Sequence, residues 1–195
     1  MEYFQFDLSP GDNPDFCFIP RPYPQEVKEK SYKFFDGEAI YADYPEDASV
    51  AMDPAEPGIQ LPDLIGNISS MLVVSNRFKE ALASVKTGNI EYLPLTILNH
   101  KGRVASSDYF IINSLEICDV ADEDESDIEY LDGDVAGVDD LVIDYRKAKK
   151  APDFFRLRED PTILLFNENL LDALSAVKPK LTNVFFEELE VTHDD

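Results

Sequence analysis

The sequence has few of the residues that most often carry catalysis or hold metals. Its 195 residues include two cysteines, two histidines, eight glycines and no tryptophan. Neither a His-Glu-x-x-His pattern nor paired cysteines at zinc-binding spacing occurs, which argues against a zinc site. Neither a Gly-x-Gly-x-x-Gly motif nor a phosphate-binding loop occurs, which argues against nucleotide binding. The sequence therefore predicts no enzyme, no cofactor and no metal.

Cysteine and long apolar runs are also scarce. Cys17 and Cys118 are too few for a disulfide framework, although a single bridge between them stays open, and we interpret both as mostly buried apolar side chains. His100 and His193 lie in no ligand-like cluster, and we expect both to be exposed. No segment resembles a signal peptide, and no run reaches the roughly 18 apolar residues of a membrane span. These absences predict a cytoplasmic protein.

Positively charged residues are also few. Lys and Arg number 17 against 40 Asp and Glu, which gives a formal net charge of -23. Nucleic acid is not expected as a ligand, because a field of this sign repels phosphates. A basic protein would instead be attracted and steered. The alternative is that the charge only keeps the protein soluble.

Apolar residues are frequent enough for a folded core, since 44% of the chain is hydrophobic and 11% aromatic. Prolines interrupt residues 1–62, so we predict that this region is an acidic, Pro-rich N-terminal arm packed on a core domain over 63–195. Within the arm, residues 16–19 and 39–41 are apolar enough to add edge strands to a sheet.

A strand followed by a capped helix is predicted after the arm. Residues 71–74 form an apolar run typical of a buried strand, Ser75 is a good helix N-cap, and residues 77–85 have helical apolar spacing. Gly88 is expected to end the helix before a strand at 90–93.

The same order recurs near the C-terminus, where strand 163–166, cap Asn167 and a helix precede strand 184–186. A shift of 92 residues aligns apolar positions of the two helices. Duplication and chance similarity both remain open, because helical periodicity alone forces such matches.

Several further short strands are predicted between the two units, and they are bounded by turns at 99–102 and 132–134. The candidates are residues 109–112, 115–120, 128–131, 141–145 and 154–157. The fold class is therefore α+β: a mostly antiparallel sheet with two repeated strand-helix-strand units and a Pro-rich N-terminal arm.

The negative charge is concentrated in one central segment. Residues 119–144 hold twelve acids and no Lys or Arg. We predict that this segment docks a basic partner. The candidate binding residues are Asp122, Glu123, Asp124, Glu125 and Asp127. The alternative is a solvated loop, partly neutralised by the basic stretch at 146–150.

Calcium binding by the same acids finds little support in their spacing. An EF-hand loop that begins at Asp122 would place Asp127 where glycine is needed and Gly133 where glutamate is needed. A loop that begins at Asp132 also fails, because Ile143 takes the last ligand position.

The core sequence resembles a known family along most of its length. The similarity lies in residues 61–66, 72–82, 90–95, 109–116 and 154–157, followed by the closing strand, helix and strand. Over residues 61–190 these motifs resemble bacterial immunity protein family eleven of polymorphic toxin systems, whereas the first sixty residues match loosely.

The resemblance implies a cytosolic protein that binds a cognate toxin and blocks its active site or a conformational change that it needs. It supplies no functional residue, so the acidic segment remains the candidate surface. An acidic adaptor or nucleic-acid mimic that binds basic proteins is the second hypothesis. A carboxylate-metal hydrolase built on residues 119–144 is the third.

Overall fold

The computed structural model describes residues 1–192, apart from the side chain of Asp134. His193 therefore lies outside the described residues. The α-helices are α1 (Tyr32–Asp36), α2 (Asn76–Leu82), α3 (Tyr145–Ala148) and α4 (Glu168–Ala176). The strands are β1 (Tyr3–Asp7), β2 (Ser49–Ala51), β3 (Leu72–Ser75), β4 (Ile90–Leu98), β5 (Val104–Ser114), β6 (Ile117–Cys118), β7 (Asp127–Leu131), β8 (Asp134–Asp140), β9 (Val142–Asp144), β10 (Phe154–Leu157), β11 (Leu164–Asn167), β12 (Phe185–Glu188) and β13 (Glu190–Thr192).

Two main sheets carry the fold. The five-stranded sheet has the order β12-β1-β11-β10-β6, and the four-stranded sheet has the order β2-β4-β5-β3. Two smaller pairs, β7-β8 and β9-β13, complete the strands. Most pairings are antiparallel, with parallel exceptions at β10-β6, β2-β4 and β9-β13. The predicted mixture of helices with mostly antiparallel sheets is confirmed.

The predicted strand, cap and helix at Ser75 are present. Leu72, Val73 and Val74 are fully buried, and the Ser75 hydroxyl accepts a hydrogen bond from the backbone N–H of Phe78. This is how an N-cap satisfies a free helical donor. The helix ends at Leu82, three residues before the predicted end, and Gly88 adopts a positive φ of 67° where the chain turns toward β4.

β11, α4 and β12 near the C-terminus are arranged similarly to β3, α2 and β4. β3 and β4 flank β5, and both are antiparallel to it; β11 and β12 flank β1 in the same way. In each case a third strand, β5 or β1, lies between the two strands that precede and follow the helix. Helices α2 and α4 pack against each other. Both contribute to an apolar cluster that also contains residues of the two main sheets, and we call it the central apolar cluster. Its buried phenylalanines are Phe4, Phe6, Phe78, Phe154 and Phe166. A common origin of the two units remains a prediction.

The buried Asp63 links the first helix cap to the C-terminal unit. Its carboxylate accepts hydrogen bonds from the Ser75 hydroxyl at 2.6 Å and from the backbone N–H and hydroxyl of Thr182 at 2.9 and 3.0 Å. Thr182 lies in the loop after α4. A buried carboxylate needs such donors, and here they come from both units.

Asp153 makes the reciprocal link. Its carboxylate accepts hydrogen bonds from the side chains of Asn167 and Asn169 and from the backbone N–H of Lys86, which follows α2. Burial alone would raise the pKa of Asp153, but these hydrogen bonds outweigh the loss of solvent and lower it. Each helix cap is therefore tied to the loop after the other helix.

The N-terminal residues enter both sheets. β1 lies between β11 and β12, where Phe4 and Phe6 join the central apolar cluster. The edge strands predicted at 16–19 and 39–41 are wrong: Phe16 forms only an isolated bridge, and Tyr41–Asp43 is a short 3₁₀ helix. The Glu91 carboxylate accepts the N–H groups of Ile40 and Tyr41, so these donors need no sheet partner. The boundary at residue 62 stays a prediction.

A buried arginine joins the two main sheets. Arg156 on β10 donates its Nε–H to the carbonyl oxygen of Ser114 at 2.8 Å and an Nη2–H to the side-chain oxygen of Asn113 at 3.1 Å. Asn113 in turn donates to Glu91. Burial lowers the pKa of Arg156 to about 10, which remains high enough for a charged side chain at neutral pH.

Residues 115–145 differ from the predicted strands in three places. The strand predicted at 115–120 is reduced to Ile117–Cys118, which pair with β10, whereas the N–H of Leu115 is hydrogen-bonded to the carbonyl oxygen of Asn89. The strand predicted at 141–145 ends at Asp144, whose carboxylate caps α3 by accepting the Arg146 N–H. Strand β8 was not predicted at all.

None of the helices in residues 1–192 combines the length and apolar composition that a membrane crossing requires.

Candidate partner-binding surface

Strands β7 and β8 form a hairpin, which we call the acidic hairpin. Asp132 and Gly133 connect the strands, and both have positive φ values of 55° and 97°. A two-residue turn with this backbone favours an Asp-Gly pair. Ile128 and Val138 oppose each other and pack on the core beneath, so the hairpin is anchored by its apolar pair.

The end of the acidic hairpin exposes two large apolar side chains. Tyr130 is 59% exposed and Leu131 is 69% exposed. Glu129 and Asp132 precede and follow them along the chain, and both are exposed. Protein interfaces commonly have aromatic and aliphatic anchors within a charged rim, and this combination is typical of a protein-binding surface.

Asp122, the first predicted binding residue, is partly buried, and its side chain stabilises a turn. Its carboxylate accepts hydrogen bonds from the Thr192 hydroxyl at 2.8 Å and from the Asp124 N–H at 3.2 Å. These bonds, the Thr192 hydroxyl first, lower the pKa of Asp122. Its carboxylate therefore holds β13 to the segment that leads into the hairpin.

Glu123, the second predicted binding residue, belongs to a carboxylate cluster around Arg158. The other acids of the cluster are Asp119 and Glu159, and one oxygen from each of the three carboxylates lies within 4.8 Å of the others. The Arg158 guanidinium contacts Asp119 at 2.5 Å, Glu159 at 2.8 Å and Glu123 at 3.7 Å. Lys147 adds a second cation, 3.0 Å from Asp119.

These contacts make the cluster an ion-pair network. Arginine is a good occupant, since its planar fork matches several carboxylates at once. Burial alone would lower the pKa values of Lys147 and Arg158, but the surrounding carboxylates raise both. The second oxygen of Glu159 is buried without a hydrogen-bond partner, so the cluster still deserves a direct metal test.

We expect no binding of Mg²⁺, Mn²⁺ or Ca²⁺ to this cluster at millimolar concentration, because the cation would have to displace the Arg158 guanidinium. Isothermal titration calorimetry on the intact protein checks this result. Arg158→Met, which removes the competing charge, serves as the comparison. Saturable binding to the wild type would instead favour the carboxylate-metal hydrolase.

Asp124, Glu125 and Asp127, the remaining predicted residues, are exposed. Asp124 and Glu125 lie in the turn before the acidic hairpin, and Asp127 begins β7. The five predicted acids thus separate by position: Asp122 and Glu123 contact other parts of the chain, whereas the other three carboxylates face solvent.

A groove lies between the acidic hairpin and the C-terminal strands, and we call it the acidic groove. Its cavity volume is about 560 Å³. Six acids line it: Glu125, Asp139, Asp140, Glu187, Glu188 and Glu190. None of the ion pairs among residues 1–192 involves any of the six. The groove therefore carries six carboxylates without a cationic partner among the described ion pairs, which gives it a negative field.

Sequence reasoning missed the C-terminal half of the acidic groove. Glu187, Glu188 and Glu190 lie about fifty residues from the central acidic segment along the chain. The parallel pairing of β13 with β9 brings them beside it. The only local signal was a run of acids in the last strands, and no spacing rule connects it to Asp139 and Asp140.

Both cysteines are free thiols, so no disulfide bridge forms between them. Burial raises the pKa of Cys17 to about 12 and that of Cys118 to about 11. A thiol with such a pKa is protonated at neutral pH and is a poor nucleophile. The interpretation of Cys17 as a buried apolar side chain is confirmed, and Cys118 is half-buried.

The sequence matches the family model described as Immunity protein family (Imm11) over residues 12–191. The chain belongs to the Imm11 family. The match begins well before residue 61, so residues 12–60, which resembled the family loosely, lie within the matched region. No curated protein matches the chain.

Imm11 membership makes a toxin the expected partner of this chain. An immunity protein acts by recognising a toxin, and recognition needs a complementary surface. The acidic hairpin and the acidic groove are the candidates for such a surface.

Proposed function

We propose that this Imm11 protein neutralises a cognate toxin of a polymorphic toxin system by forming a one-to-one complex with it in the cytoplasm. The observation that carries the proposal is the family match together with the unpaired acids of the acidic groove. In this mechanism the chain catalyses no reaction. Binding covers the toxin's active site or blocks a movement that the toxin needs.

The partner surface is basic in this proposal. Six unpaired carboxylates in one groove produce a negative potential that accelerates the encounter with a cationic protein. Asp124, Glu125 and Asp127 extend this field along the acidic hairpin. Tyr130 and Leu131 supply apolar contact area, which holds the complex after the encounter. Asp122 and Glu123 act indirectly, because they fix the segment that leads to the hairpin.

A general acidic adaptor, or a mimic of nucleic acid, is the second candidate, and the net charge of -23 favours it. Such a protein binds several unrelated basic proteins with affinity that falls steeply as salt increases. A dedicated immunity protein binds one toxin and retains that complex at physiological salt, because apolar contacts are insensitive to screening.

Growth protection tests the proposed function. The gene beside the immunity gene is expected to encode a toxin, and its C-terminal domain is expressed from an inducible promoter in a susceptible host. Co-expression of this chain should restore growth, whereas an unrelated protein of similar size and acidity should not. Equal protection by the unrelated acidic protein would favour the adaptor, and no protection would reject neutralisation of that toxin.

A further inference from the structure

Strand β12 is the outermost strand of the five-stranded sheet, and all four of its residues are exposed. It pairs with β1 on one side only. Phe185 and Phe186 are 46% and 41% exposed. Proteins normally protect such an edge, because it offers hydrogen-bonding groups to any extended segment.

The register identifies the backbone groups on the open edge. Leu189 donates its N–H to the carbonyl oxygen of Tyr3, so Tyr3 and Leu189 form a hydrogen-bonded pair. Gln5 and Glu187 lie two residues further along each strand and therefore form the same kind of pair. In an antiparallel pair the next residues along have their backbone groups turned away from the partner strand. The N–H and C=O groups of Phe186 and Glu188 therefore point outward from the sheet.

Along β12 the side chains of Phe185 and Glu187 point to one face and those of Phe186 and Glu188 to the other, and the two faces have different neighbours. On one face Glu187 lines the acidic groove together with Asp139 and Asp140. On the other face Phe186 and Val184 line a small apolar pocket of about 120 Å³ against α4. Leu171, Leu174 and Leu181 form most of the remaining pocket wall, and Lys180 and Ser175 are its polar members.

We infer that β12 receives an extended segment of the partner protein in which basic and apolar residues alternate. Side chains of a strand point alternately to opposite faces. A strand added at β12 thus places its basic residues over the acidic groove and its apolar residues over the pocket at Phe186. Backbone hydrogen bonds to Phe186 and Glu188 give affinity, and the two faces give specificity.

A second copy of this chain is a poor occupant of the same edge. Pairing β12 with another β12 would bring Glu187, Glu188 and Glu190 of one copy against the same acids of the other. Like charges opposite each other destabilise strand pairing. The charge of the edge thus selects a cationic partner and discourages self-association.

Two peptides of identical composition test the alternation on the intact wild-type protein. The probes are fluorescein-labelled (Lys-Val)₄ and Lys₄-Val₄, and fluorescence anisotropy at low salt measures their affinities. The alternating peptide should bind at least about tenfold more tightly, because it alone presents every lysine to one face of a strand. Equal affinities would overturn the inference.

Proline substitution tests the open edge. Glu188→Pro removes the outward N–H and retains the pairing with β1, while Glu188→Ala removes the carboxylate and retains the N–H. The proline variant should bind (Lys-Val)₄ at least about tenfold more weakly than the alanine variant. Hydrogen exchange on the wild type gives a second measurement: the peptide should slow exchange at Phe186 and Glu188. Equal binding by the two folded variants, or unchanged exchange at both amides in the peptide complex, would overturn the inference.

This inference rests on the proposed function, but the two fail differently. In the growth assay with the adjacent toxin domain, Glu188→Ala should protect better than Glu188→Pro. Equal protection by the two variants rejects docking at β12 and leaves neutralisation intact. An absence of protection by the wild type rejects the proposed function itself.

Discussion

Asp63→Ala is expected to lower the free energy of unfolding by about 3 kcal/mol, since it removes hydrogen bonds to a buried charge and leaves their donors unpaired. Asp63 is only 6% exposed. The donors left behind are the Ser75 hydroxyl and both the N–H and the hydroxyl of Thr182. For a chain of this length the loss corresponds to roughly 6–12 °C in the midpoint of thermal unfolding.

Calorimetry or circular dichroism measures this change, and Asp108→Ala is the matched control. Asp108 is exposed on β5, so its loss should cost less than about 0.5 kcal/mol. Asp63→Asn should be intermediate, since the amide oxygen still accepts a bond from Thr182. If Asp63→Ala were as stable as Asp108→Ala, the link between the two units would contribute nothing to the fold.

Charge reversal in the acidic groove should slow association with the toxin by about tenfold to a hundredfold at low salt. The variant combines Asp139→Lys, Asp140→Lys and Glu187→Lys, all at exposed positions. Reversal converts steering into repulsion at the contact surface, so the effect should diminish as salt screens the field. Stopped-flow or surface plasmon resonance measurements over a range of salt concentrations check both results.

The control reverses three acids far from the groove along the chain. Glu46, Asp47 and Glu56 are exposed, and their replacement by lysine changes the net charge by the same amount. The association rate should fall less than about threefold, because steering depends on charge near the contact surface. If the two triple variants slowed association equally, the effect would come from net charge, and the acidic groove would have no specific role in steering.

Local sequence signals predicted the helix caps well. Ser75 and Asn167 each follow an apolar run and precede residues with helical apolar spacing. Each accepts a hydrogen bond from a backbone N–H only two or three residues ahead. The same logic located β3 and β11. Such elements depend on neighbours in sequence, which a single chain displays directly.

Strands with a weak local signal were missed. β1 is short, and its partners Phe166 and Phe186 lie more than 160 residues away. β8 contains Gly137 and several acids, which have low strand propensity, and it forms because the Asp132-Gly133 turn and the Ile128–Val138 pair hold it. Pairing with another strand, distant for β1 and adjacent for β8, decides both, so propensity alone did not identify them.

The candidate site divides in the same way. The acidity of the central segment was visible in composition, but the contact of Asp122 with Thr192 and the meeting of Asp139 with Glu187 depend on the parallel pairing of β9 and β13. The acidic groove therefore emerges from topology. Sequence supplied the charge, and the fold determines which charges converge.

Titration of toxin activity with the purified chain tests the central claim most directly, namely that this Imm11 protein acts by stoichiometric binding. A fixed concentration of the toxin domain, well above the dissociation constant, is mixed with increasing amounts of the chain. We predict a linear loss of toxin activity that reaches zero at a molar ratio of one to one and does not change with incubation time. Inactivation by far less than one equivalent, growing with time, would contradict binding and indicate an enzyme.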